Sequence, residues 1–315
     1  HPAKIRHTGD KAKLLSANDT SGFTFRGRFV NDEQAANISF EVTQKAHNAL
    51  RWLIARQGVR NGDQVMVAWA VSGKPVPEAL SATYELDLDD FGEVDTAEFA
   101  PSKIQTDHGK DFGQRFASAL KRYMSGYYAT LDPTESIIIM ALDSATPGRM
   151  AMTYYRDFMA RDYLQNVELW HWQFAWYQRV PKNDGKNGKR LTHWLISAPP
   201  LRNIFQAAYG DTGSDTLKRK LYERLLPTIS EGRAMPVDLV SLAVSRASNR
   251  YNKEPWEWEQ NLGVTCALYR GFHLRHPNQN KRRDYAMALE IDYDSRDYLY
   301  GRLLAIAERI EEMAM

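Results

Sequence analysis

The sequence predicts an α+β fold in which a small sheet packed with helices is followed by a C-terminal helical bundle. Before about residue 180, short β-branched and apolar runs are interleaved with segments of helical periodicity, which is typical of a sheet with helices packed on it. After Pro200 the segments are helical and are separated by Gly, Pro and Asn. We therefore predict a basic extended segment over 1–21, an α+β domain over 22–180, a linker over 181–199 and a helical bundle over 200–315.

The α+β part begins with a helix over 39–57, where Leu50, Leu53 and Ile54 lie on one face and Gly58 supplies the stop. A strand, QVMVAWAV, follows the turn at 61–63, and an acidic, Pro-containing stretch over 74–101 indicates a surface excursion. The next elements are a helix over 110–128 and two strands, ESIIIMALD and RMAMTYYR, joined by a turn over 144–148. An aromatic helix over 159–180 completes the domain, and its rings are expected in the core.

After the polar run PKNDGKNGKR, five segments have helical periodicity: LRNIFQAAYG, DTLKRKLYERLLPTI, VDLVSLAVSRASN, EWEQNLGVTCALYRGF and RDYLYGRLLAIAERIEEM. Their short connections predict an antiparallel bundle. The single cysteine, Cys266, lies in an apolar helical run and is expected to be a buried structural thiol. No disulfide framework or Cys metal site is therefore available, and a reducing, cytoplasmic setting fits.

Charge is segregated along this chain of 315 residues with a net charge of +2. The first 29 residues contain six Lys/Arg against two Asp/Glu, with Phe23, Phe25 and Phe29 among them, whereas 78–98 contains eight acids and no Lys or Arg. Cations spaced among aromatics suit a nucleic acid, although Phe23 and Phe25 also fit the buried face of an ordinary strand. The predicted phosphate-binding residues are Lys4, Arg6, Lys11, Lys13, Arg26, Arg28, Lys45, Lys281, Arg282 and Arg283.

Catalytic motifs are missing from the sequence. It contains no GxxxxGK[ST], GxSxG or HExxH pattern. Glu168 and His171 have the i, i+3 spacing of a metal-ligand pair. A di-metal site needs a second such pair on a facing helix, and the sequence shows none, so we expect Glu168 and His171 to be a helix-surface pair. Asp292 and Asp294 have i, i+2 spacing, and Asp294 is expected to cap a helix that starts near Ser295. We predict no enzyme activity, metal or cofactor, with a metal-dependent nuclease and a purely architectural protein-binding subunit as alternatives.

Motifs along nearly the whole chain carry a family resemblance. They include SANDTSGFTFRGRF, SFEVTQKAHNALRWLI, ALDSATPGRMAMTYYRD, SAPPLRNIFQAAYG, ERLLPTISEGRAMPVDLV, SRASNRYNKEPWEWEQNLGVTCALYR and DYAMALEIDYDSRDYLYGRLLAIAERIEE. In this order they resemble the Csd-type large subunit of the type I-C CRISPR interference complex (Cascade). The resemblance implies a non-catalytic DNA- and RNA-binding subunit of a cytoplasmic antiviral ribonucleoprotein complex, which recognises foreign double-stranded DNA and stabilises the opened strands of the R-loop.

The resemblance also implies partners: guide RNA, target DNA, backbone subunits, a small helical subunit and a recruited helicase-nuclease, with no membrane. Compared with the family pattern, we expect this chain to lack an N-terminal region, which would contain the readers of the protospacer-adjacent motif, and a C-terminal tail. The family's small subunit is implied to arise by internal translation. Met287 is one candidate start, although a core methionine is the interpretation that the sequence favours.

Overall fold

A computed structural model describes residues 38–86, 108–144, 150–183, 190–251 and 253–314. The predicted basic segment 1–21, most of the acidic stretch and the turn after Ser144 lie outside these ranges. Within them the chain forms eight α-helices, a four-stranded antiparallel sheet and a two-stranded hairpin, so the α+β prediction is confirmed.

The main sheet has the strand order β1-β2-β3-β4, with β1 at Val59–Asn61, β2 at Gln64–Ala70, β3 at Ser136–Asp143 and β4 at Ala151–Met159. A two-residue turn joins β1 to β2, and its first residue, Gly62, has φ 60°. Two-residue hairpin turns of this kind require a positive φ, which glycine adopts without strain. The register pairs Val67 with Met140, and a bulge follows Ala141.

One face of the sheet is covered by α1, Phe40–Gln57. The Ser39 hydroxyl accepts the Val42 N–H at 3.3 Å at its start, and the Gly58 N–H donates to the Ile54 carbonyl at its end, as the sequence predicts. Leu50 and Ile54 pack against strand residues of β2 and β3 in a small cluster. Helix α1 therefore presents its opposite face to solvent.

The other face of the sheet is covered by α2, His108–Thr130, and α3, Ala160–Gln173. Met66 and Ile139 from the strands meet Leu120 and Val167 from the helices in the main core. The predicted core role of the aromatic segment holds for Tyr163, Trp170 and Phe174, which are fully buried.

The predicted helix over 159–180 is wrong at its C-terminal end. Helix α3 stops at Gln173, and β5, Trp176–Asn183, pairs with β6, Arg190–Ser197. Residues 190–197 are therefore a strand, where the sequence predicted part of a linker. Aromatic and β-branched residues have high strand propensity, and the pairing of β5 with β6 decides the conformation here.

Five helices follow: α4 at Leu201–Tyr209, α5 at Asp215–Ser230, α6 at Val237–Ala247, α7 at Pro255–Leu274 and α8 at Arg296–Ala314. Helix α7 packs against β5, α4 and α6. Buried residues of α5 and α7, such as Leu225 and Leu268, belong to the same core as Ile139 of the sheet. One hydrophobic core therefore extends from the sheet into the C-terminal helices, across the linker that the sequence predicted over 181–199.

Candidate nucleic-acid interface

The described part of the chain contains four of the ten predicted phosphate-binding residues. Lys4, Arg6, Lys11, Lys13, Arg26 and Arg28 lie outside it. Lys45 lies on α1, and Lys281, Arg282 and Arg283 follow α7. The structure thus keeps the last three cations together and places Lys45 on a separate element.

Lys45 lies on the solvent face of α1. Its Nζ donates to Glu41 Oε1 at 2.6 Å, and both side chains are 75% exposed. Such an exposed pair contributes about 0 to 1 kcal/mol, so an incoming phosphate competes with it at little cost. Seven residues further along the same face, the 53% exposed ring of Trp52 lies under the Arg56 guanidinium at 4.9 Å. Sequence reasoning missed this pair, which the i, i+4 spacing could have indicated.

We call residues 276–285 the basic loop. Lys281 ends a 3₁₀ turn that begins with the Asn278 side chain accepting the Asn280 N–H, and its own side chain is exposed. Arg282 is also exposed, and its Nε donates to the His276 carbonyl at 2.9 Å. These local bonds fix the backbone of the loop and leave two cationic side chains at the surface.

Arg283 differs from its two neighbours. Its guanidinium lies 3.5 Å from the Tyr293 ring centroid and 4.6 Å from that of Tyr285, and it donates to Glu290 Oε2 at 2.8 Å. Arg283 is half-buried, and its contacts with Tyr293 and Glu290 connect the basic loop to the segment before α8. Its observed contacts position the loop.

The remaining charge on the basic loop is Asp284. Its carboxylate accepts a hydrogen bond at 2.8 Å from Arg270 Nε, and Arg270 also donates to the Trp172 carbonyl at 2.8 Å. Only 5% of the Arg270 side chain is exposed, so this pair connects the loop to the core. Because Asp284 is compensated, it does little to offset the positive charge of Lys281 and Arg282.

Aromatic side chains support the basic loop from α7. The Tyr269 ring centroid lies 4.5 Å from that of His273 and 5.3 Å from that of Tyr285. His273 Nδ1 is also 3.4 Å from the Lys281 carbonyl oxygen. Sequence reasoning did not find this cluster, although the i, i+4 spacing of Tyr269 and His273 places both on one helix face.

A family match covers residues 1–315 and is described as CRISPR-associated protein (Cas_Csd1). The chain belongs to this family. The resemblance that the sequence motifs carried is thereby confirmed, and the chain is a CRISPR-associated Cascade subunit. No curated protein matches the chain.

In this Csd-family chain, Glu168 and His171 point to different partners. Glu168 Oε2 accepts from the Tyr128 hydroxyl at 2.9 Å, whereas His171 is fully buried with Nδ1 2.9 Å from Thr83 Oγ1. Burial lowers the pKa of His171 to about 3, so its ring is neutral at physiological pH. The expected helix-surface pair is therefore wrong for His171, and the described ranges contain no group of three residues suited to a metal ion.

The predicted cap of α8 also needs correction. The Tyr298 N–H donates to Ser295 Oγ at 3.4 Å, so Ser295 makes the capping contact expected from Asp294. Met287 is half-buried and packs against the main core, which agrees with its interpretation as a core methionine. Among the residues that the structure describes, no helix is long and apolar enough to cross a membrane.

Proposed function

We propose that this chain is a non-catalytic DNA-binding subunit of an RNA-guided type I-C surveillance complex. In this proposal it helps to bind foreign double-stranded DNA and stabilises the opened strands, beside guide RNA, backbone subunits and a small helical subunit. The observation that supports it best is the pair of exposed cations, Lys281 and Arg282, on a loop whose one acid is compensated.

The chemistry of the basic loop favours phosphate over base recognition. Lys and Arg contacts to phosphate position a nucleic acid without reading its sequence, and in RNA-guided complexes the guide reads sequence by base pairing. Neutralised phosphates release counterions, so each contact contributes about 0.9 to the slope of log affinity against log salt for duplex DNA and about 0.7 for single strands. An exposed cation pair is thus detectable by its salt dependence.

The experiment replaces Lys281 and Arg282 together with Ala in the assembled complex and measures target-DNA binding at several salt concentrations. A matched control replaces Lys121 and Arg122, an exposed Lys-Arg pair on α2, with Ala. We expect the basic-loop variant to flatten the slope by about 1.4 to 1.8 units, and the control to leave it unchanged. An unchanged slope in the basic-loop variant, or an equal change in both variants, would refute the proposed contact.

Charge reversal of Lys281 and Arg282 separates opening from initial binding. We expect base-reactivity footprinting to show a larger loss of strand opening than of duplex binding, because the proposed contacts hold the opened strands. Equal losses in the two steps would contradict that role. Salt-dependent binding to random-sequence DNA would count against the architectural alternative.

The non-catalytic part of the proposal is tested with the purified complex and divalent ions. We expect both DNA strands to stay intact in Mg²⁺ or Mn²⁺ until the helicase-nuclease partner and ATP are added. His171 is buried and Glu168 is bonded elsewhere, so the two do not converge on a metal ion. Cleavage by the complex alone that is lost in Asp292→Ala or His171→Ala would establish the nuclease alternative.

A further inference from the structure

An apolar groove of about 470 Å³ opens beside the basic loop. We call it the aromatic groove, and it lies where β5, α6, α7 and the loop meet. Its volume falls within the range typical of ligand sites, roughly 300 to 1,000 Å³. Its walls include Trp176, Val244, Leu262, Cys266, Tyr269 and Tyr285.

The ring-bearing walls of the groove are accessible. Tyr269 is 39% exposed, and Trp176 and Tyr285 are half-buried. The planes of Tyr269 and Tyr285 are inclined by 52° and their centroids lie 5.3 Å apart, so the two rings do not stack face to face on each other. Flat aromatic groups without a parallel partner suit a ligand that is itself flat.

Three polar side chains that line the aromatic groove are already bonded. The Ser248 hydroxyl donates to the Val244 carbonyl, the Thr265 hydroxyl to the Ala243 carbonyl, and Arg270 to Asp284 and backbone carbonyls. Burial raises the pKa of the Cys266 thiol to about 11, so the thiol stays protonated at neutral pH and acts as an apolar wall. The groove thus offers surface for stacking and few donors for reading a base edge.

The rim of the groove supplies the opposite chemistry. Tyr285 lines the groove and also carries the Arg283 guanidinium at 4.6 Å, and Arg282 and Lys281 precede it on the same loop. A ligand that fits both parts has a flat apolar face and a negative charge beside it. A nucleotide has both, whereas an apolar protein side chain uses only the groove.

We infer that the aromatic groove receives an unpaired base of the opened DNA while Lys281 and Arg282 hold adjacent phosphates. The inference rests on the proposed function and names the part of the nucleic acid that this site takes. Stacking on aromatic side chains accepts every base, so the site holds a strand without sequence preference. This agrees with a complex in which the guide RNA determines sequence.

The test uses the assembled complex and target DNA with 2-aminopurine placed at successive positions of each opened strand. The variant Tyr269→Leu keeps an apolar wall and removes the ring, and Tyr251→Leu, at an 81% exposed tyrosine outside the groove, is the matched control. At one position we expect fluorescence quenching that Tyr269→Leu relieves. Affinity for unpaired DNA should fall roughly 5- to 150-fold, the equivalent of losing one stacked base. The control should behave as the parent complex.

A second variant, Leu262→Glu, places a carboxylate at the groove wall from a 37% exposed position. It should weaken binding of unpaired DNA with an unchanged melting temperature. Unchanged quenching and affinity in both variants would overturn the inference. A loss of complex assembly without a loss of DNA affinity would also overturn it, because that result would assign the groove to a protein partner. A failure of the proposed function can be told apart from a failure of this inference, because it appears as an unchanged salt slope in the variant that lacks Lys281 and Arg282.

Discussion

Protonation of His171 is expected to destabilise this fold at mildly acidic pH. The Ala198 N–H donates to Thr83 Oγ1 at 2.9 Å, so the Thr83 hydroxyl is free to donate its own proton to His171 Nδ1, 2.9 Å away. This arrangement leaves the ring proton on Nε2, which has no hydrogen-bond partner among the described residues. A second proton would create a cation in the core, and burial therefore lowers the pKa of His171 from 6.5 to about 3.

The sign of the effect follows from proton uptake. Between pH 6.5 and pH 3 the unfolded chain binds a proton at His171 that the native chain does not, so the free energy of unfolding decreases as the pH falls. The limiting slope is about 1.4 kcal/mol per pH unit, and the loss from pH 7 to pH 5 is about 2 kcal/mol. A loss of this size is a large fraction of the roughly 5 to 15 kcal/mol that stabilises a typical domain.

The variant His171→Asn removes the titration and keeps an acceptor for the Thr83 hydroxyl. Urea unfolding at pH 7, 6 and 5 should show that the parent chain loses about 2 kcal/mol more than the variant over this range. His47, whose pKa is also lowered, is present in both chains and cancels in the difference. Parallel pH profiles would refute the burial argument, and a melting temperature that rises with Mn²⁺ or Zn²⁺ only in the parent would restore a metal role for His171.

Two further predictions concern packing. A methyl group at Gly271 of α7 would overlap the Phe174 ring, so Gly271→Ala should cost about 1 to 3 kcal/mol, whereas Gly126→Ala in α2, which meets open space, should stabilise by about 0.5 to 1 kcal/mol. Urea midpoints check both, and a neutral Gly271→Ala would mean that Phe174 moves freely. Leu303 of α8 is 60% exposed, so Leu303→Gln should change stability by less than about 0.5 kcal/mol, whereas Leu268→Ala in the core should cost about 2 to 5 kcal/mol. A similar fall in thermal stability for both leucine variants would show that α8 packs against the body of the chain.

The sequence predicted the elements that local signals determine. Ser39 and Gly58 sit at the two ends of α1 and make its terminal hydrogen bonds themselves, so pattern alone located this helix. The segment from Trp176 was predicted as the end of the aromatic helix, and it is a strand. Its pairing with β6, a contact that spacing in the sequence does not reveal, decided the outcome.

The residue types of the candidate site could be predicted from the sequence, but the positions of their side chains could not. Three consecutive cations in a polar run indicated a basic loop, and Lys281 and Arg282 are exposed as that run suggests. The insertion of Arg283 between two tyrosine rings depends on how the segment before α8 folds back, which no periodicity encodes. The burial of His171 likewise depends on Thr83, which lies 88 positions away.

The described part of the segment after Met287 contains no buried residue. Helix α8 has Leu299, Leu303, Ile306 and Ile310 at alternating spacings of four and three, all more than 40% exposed, while Glu308 on the opposite face pairs with Arg250. Removing this segment would therefore leave the core intact. The apolar stripe of α8 is exposed, so a neighbour that covers it displaces no core residue. The segment before α8 has a different role, because Glu290 and Tyr293 hold Arg283 and stabilise the basic loop.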